Sequence, residues 1–190
     1  MRPAMTFTEI MHSYFRGEKL EAVFFIIPLG VALAALAVVA LRYERGGFAW
    51  GVAVPCVVFS LLLMSVGVTV AARTAGQVAA LDQGFATAPA ETLAAELPRM
   101  HMVQQNFQTY LWIMGALGLL GLGLRFVLSA SWAHAAGAVL VLAAGLAFLI
   151  DGFAERRARP YVAALEARAQ ALDAAQGEDA TAPAATTPHR

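Results

Sequence analysis

Long apolar runs separated by short polar connections dominate the chain. They cover roughly residues 22–41, 48–72, 110–128 and 132–150, each close to the about 20 residues needed to cross a hydrocarbon core. The first run is too long for the apolar region of a cleavable signal, and it leads into LRYERGG with no small-residue cleavage site. The pattern predicts four membrane spans. The links YERGG and SASW are short enough to make spans 1–2 and 3–4 helical hairpins.

The connection from Arg73 to Thr109 is longer and reads as mostly helical. Thr87 ahead of Pro89 and Glu91 is placed to cap a helix whose first turn holds the proline. Pro98 signals a second start, and nothing from there to Leu128 breaks the helical pattern. Such a helix would be about 45 Å long, against a hydrocarbon core of about 30 Å. Span 3 should therefore protrude by roughly 15 Å. After span 4, DGFAERRARPYVAALEARAQAL continues the helix, with Pro160 as a kink point and Tyr161, Leu165, Ala169 and Leu172 as an apolar stripe. The N-terminal segment, residues 5–20, carries Ile10, Met11, Tyr14 and Phe15 on one face. It suits either the membrane surface or the protruding part of span 3. The segment 177–190 is low in complexity and is expected to be a disordered tail.

Composition supports the membrane reading. Of 190 residues, 59% are hydrophobic and 14% charged, where a soluble domain carries about 25% charged residues. Mean hydropathy is +0.65. Thirteen basic and thirteen acidic residues cancel, so nothing points to nucleic acid as a partner. The single cysteine, Cys56, excludes an internal disulfide.

The basic residues set the direction. Arg2, Arg16, Lys19, Arg73, Arg99, Arg156, Arg157, Arg159, Arg168 and Arg190 fall in the termini and the middle connection. Arg42, Arg45 and Arg125 fall in the other two loops. By the positive-inside rule both termini are cytoplasmic. The abundance of Ala and Arg fits a bacterial gene, hence a bacterial inner membrane.

Candidate chemistry is sparse. MHM at Met100–Met102 and His12 beside Met11 offer two imidazoles and several thioethers at a similar depth below spans 3 and 1, a conceivable copper or haem site. No complete ligand set accompanies them, so no cofactor and no metal is expected. No span holds Asp, Glu, Lys or Arg in its central third, which argues against a pump or a proton-coupled transporter. No nucleophile triad, phosphate-binding loop or metalloprotease motif occurs, so an enzyme is not expected.

What the spans do carry is small residues at helical spacing. Span 3 has Gly115, Gly118, Gly121 and Gly123, and span 4 has Ala136, Gly137, Ala143, Ala144 and Gly145. Such faces let helix backbones approach in lipid. Below span 4, Arg156, Arg157 and Arg159 form a cluster suited to anionic headgroups or to setting topology. The expected fold is an all-α integral membrane protein, an antiparallel four-transmembrane-helix bundle with helices extended into the cytoplasm. The expected role is a non-enzymatic interaction protein, either an accessory or assembly subunit of a membrane complex or a homo-oligomer. Its expected partners are lipids and other membrane subunits or itself. A passive channel or an immunity-type protein that neutralises a toxin, and a haem or copper protein using His12 and His101, are the alternatives.

Overall fold

The computed structural model describes residues 5–181, and the surroundings of side chains through residue 175. It is all helix: α1 (Phe7–Glu21), a π turn (Ala22–Ile26), α2 (Ile27–Tyr43), α3 (Gly47–Thr87), α4 (Pro89–Val127) and α5 (Ser131–Thr181). The first three join into one run, Phe7–Tyr43, so there are four long helices, each long and apolar enough to cross a membrane. α5 continues past Gly177, into the segment read as tail; the rest of that segment, 182–190, lies outside the described residues.

The π turn has a local cause. The N–H of Ile27 reaches the carbonyl of Ala22, one residue further than in an α-helix. Pro28 follows at once. It has no N–H to donate, and its ring presses on the carbonyl of Phe24. A widened turn takes up that misfit. At the next corner Gly46 has φ +91°, a conformation that glycine adopts without a Cβ penalty.

Two helix boundaries differ from the sequence expectation. Thr87 is not a cap: it ends α3, and its hydroxyl donates to the carbonyl of Gln83 at 2.9 Å. The break falls at Ala88 (φ −142°, ψ 67°), because a residue before proline is pushed out of the α region. Pro89 then opens α4. Pro98 does not start a new helix but lies inside α4. Leu93 and Glu96 before it and Met100 after it are all buried, and this packing on both sides holds the helix through the missing hydrogen bond.

At 1.5 Å per residue α3 and α4 are each about 60 Å long, twice the hydrocarbon thickness of about 30 Å. Their surfaces divide accordingly. Apart from Met5 near the N-terminus, large exposed hydrophobic side chains occur from Leu20 to Val68 and from Met102 to Phe153; none occurs between 69 and 101, and none between 154 and 175. We call the first region the belt and the second the basal layer. The basal layer has a core like that of a soluble domain, built from Met11, Tyr14 and Phe15 of α1, Leu81 of α3, Leu93 and Met100 of α4, and Tyr161, Val162 and Leu165 of α5. The apolar stripe of α1 thus packs on protein, and Thr6 and Glu9 close a reciprocal capping box at its start. The core within the belt is smaller: Leu33, Ala37, Ala53, Cys56 and Val139.

Candidate functional site

At the centre of the basal core Tyr161 is fully buried. It stacks on Tyr14 at 5.1 Å between ring centres and meets Phe15 edge-on at 5.9 Å. Its hydroxyl donates to Glu96 Oε1 at 3.0 Å. Glu96 is only 4% exposed, so its charge needs a partner. Arg99 supplies one in bidentate form, Nε to Oε2 and Nη2 to Oε1, both at 2.6 Å. The same guanidinium lies 6.0 Å from the centre of the Phe15 ring.

The titrations follow from this geometry. Burial, and then the charge of Glu18, push Tyr14 up to about 12. Burial and then the charge of Glu96 raise Tyr161 as well. Burial opposes the charge of Arg99, but the hydrogen bonds and charge of Glu96 outweigh it and hold the arginine above its ordinary value. The two tyrosines are thus held neutral and Arg99 charged at pH 7. The arrangement ties α1, α4 and α5 together.

Around this core, hydrogen bonds and ion pairs join helices that are distant in sequence. His12 Nε2 lies 2.8 and 2.9 Å from the carboxylate oxygens of Asp82, linking α1 to α3. His101 Nε2 lies 3.0 Å from Glu166, linking α4 to α5. Glu18 pairs with Arg73 at 3.0 Å, and Glu21 pairs with Arg157. The two histidines therefore face different carboxylates on different helix pairs. Among the described residues no group of three His, Cys, Asp or Glu side chains is placed to hold a metal ion. Neither Glu96 nor these links stood out in the sequence, where the one local signal was Glu96 three residues before Arg99.

In the belt the small residues separate into three kinds. Gly121 and Gly137 face each other: a Cβ on Gly121 would lie 2.8 Å from the Gly137 carbonyl oxygen, and one on Gly137 would overlap the Gly121 oxygen. Gly118 is in ordinary contact, with a Cβ there 3.4 Å from that of Ala144, and Gly115 only approaches Phe148, at 3.9 Å. Gly123 and Gly145 have nothing within 4 Å. Ala144 is buried, whereas Ala136 and Ala143 are half-buried. The tightest approach involves a glycine outside the two faces read from sequence: a Cβ on Gly51 of α3 would overlap the Trp132 carbonyl of α5.

The arginine cluster is also divided. Arg159 pairs with Glu155 one turn away at 2.8 Å, and Arg157 turns to Glu21. Arg156 is exposed and has no ion-pair partner among the described residues. Arg156 and Arg157 edge an apolar groove of about 710 Å³ between the Phe7–Tyr43 helix and α5.

These features define an all-helical protein whose four apolar helices have the organisation of a multi-pass membrane protein. No protein-family profile, curated protein or solved structure matches the chain.

Proposed function

We propose that the protein is a non-enzymatic membrane protein that acts through helix–helix contacts, as an accessory or assembly subunit of a larger membrane complex or as a homo-oligomer. In this reading the four long helices form an antiparallel bundle in a bacterial inner membrane, with both termini and the basal layer in the cytoplasm. One observation carries the proposal. Only 6% of the most apolar stretch of α4 is buried within the chain, against 28–33% for the other three helices. α4 packs closely on α5 and touches α3 lightly, so most of its belt surface has no partner within the chain. Gly123 lies in that belt half with open space around it, as does Gly145 on α5. Small residues left uncovered let another helix approach closely in lipid. The mutually satisfied polar core supports a rigid docking element rather than a reactive centre.

Native mass spectrometry after gentle solubilisation tests this. The expected species is a complex heavier than the 20.1 kDa chain, either with a second protein or with further copies. A lone chain carrying only lipid and detergent would contradict the proposal.

A further inference from the structure

The groove edged by Arg156 and Arg157 has an architectural origin. α1 packs on α5, where Gly17 lies against the side chain of Arg157. Beyond the π turn the chain changes company: the α2 backbone packs on α3 and does not come close to that of α5. A wedge therefore opens between them. Its walls are Leu20, Phe25 and Leu29 on one side and Leu146, Leu149 and Phe153 on the other. Leu29, Leu146 and Ile150 also line a narrower crevice of about 70 Å³ that carries the wedge deeper, toward Leu33 and Val139.

Length and charge identify the occupant. From Arg157 to Leu146 the groove follows α5 for about 17 Å, close to half of a hydrocarbon core of about 30 Å. A partner helix needs a seat across the whole core; a lipid tail needs one leaflet. At the polar end Glu21 is neutralised by Arg157. Arg156 remains a cation without an ion-pair partner, and Nε of Arg157 is buried without a hydrogen-bond acceptor among the described residues. An apolar slot one leaflet deep, with an unspent cation at its mouth, matches a single amphiphile with an anionic head.

We propose that this wedge binds one anionic phospholipid, with an acyl chain between α2 and α5 and its phosphate at Arg156 and Arg157. The site deepens the headgroup reading of the arginine cluster, rests on the membrane-spanning reading, and is independent of whether the protein assembles with a partner. It selects the lipid by charge and holds it by apolar burial, so the two properties separate under mutation.

The experiment uses the full-length protein in membranes of equal phosphatidylglycerol and phosphatidylcholine, released for native mass spectrometry. The wild type should retain one phosphatidylglycerol in preference to phosphatidylcholine. Arg156→Gln, at an exposed residue that carries no ion pair, should reduce that preference about fivefold. Leu149→Trp, at a position 61% exposed, fills the slot and should abolish retention of both lipids. Arg159→Gln should leave retention unchanged. The proposal fails if the wild type retains no lipid, if it retains both lipids equally, or if Arg156→Gln behaves as wild type. It also fails if Leu149→Trp breaks a dimer, since the occupant would then be a second copy. Loss of retention with the protein still in the membrane fraction removes this proposal alone; absence from the membrane removes the four-span reading with it.

Discussion

Glu96→Ala should destabilise the protein by about 3 kcal/mol, the largest effect expected from a single side chain outside the belt. The carboxylate is nearly inaccessible and accepts from both Arg99 and Tyr161. Its removal leaves a guanidinium inside the core without its anion and a buried hydroxyl without an acceptor. A buried hydrogen-bonding group left unpaired costs about 1–3 kcal/mol, and an orphaned buried charge costs about 3–5 kcal/mol. Arg99 keeps 32% of its side chain exposed, so it can turn toward water, and the low end applies. Glu96→Gln separates the two parts: the amide oxygen still accepts from Tyr161 while the charge is lost, and the expected cost falls to about 1 kcal/mol. Thermal unfolding of the purified protein, together with hydrogen exchange over residues 78–100, measures both. If Glu96→Ala melts with the wild type, the polar cluster does not hold the basal layer together.

Gly51→Val and Gly137→Val should come next, each costing about 1–3 kcal/mol through overpacking. At both positions even a Cβ would overlap a backbone carbonyl oxygen of the facing helix, that of Trp132 or of Gly121. Backbone cannot rotate aside as a side chain can, so α5 must move away from α3 or α4. In lipid, contact between helices is sustained by close packing and weak polar attraction rather than by exclusion of water, and a small separation loses many contacts together. Gly123→Ala and Gly145→Ala meet nothing within 4 Å and should be neutral, or slightly favourable through helix propensity. The readout is the folded fraction that survives detergent at a fixed temperature. Equal tolerance at all four positions would mean that the α5 contacts are not close.

The same residues show what the sequence could and could not say. The four apolar helices were legible because a hydrocarbon layer demands uninterrupted apolar runs of a set length. The hairpin at Ala88 is nearly legible: Pro89 marks the place, but its effect on the residue before it sets the boundary, not the hydroxyl of Thr87. The stripe of Ile10, Met11, Tyr14 and Phe15 announced a buried face without saying what buries it, because a bilayer surface and a protein core impose the same periodicity. Glu96 was invisible as a buried residue, since its burial depends on Tyr161, 65 residues away. The glycine spacings marked faces suited to close approach. Which glycine touches backbone depends on where two helices cross, and that is why Gly51, outside the faces read on spans 3 and 4, makes the tightest contact while Gly123 makes none.

The proposed orientation, with both termini and the basal layer in the cytoplasm, rests on the distribution of basic residues along the chain, and one labelling experiment tests it most directly. Cys56 is buried in the belt core and can remain in place. Glu44→Cys places a thiol in the exposed turn between α2 and α3, and Glu91→Cys places one in the exposed first turn of α4. With a membrane-impermeant maleimide on intact cells, the account predicts labelling at position 44, and at position 91 only after the membrane is opened. Labelling of position 91 in intact cells, with position 44 protected until the membrane is opened, would contradict it.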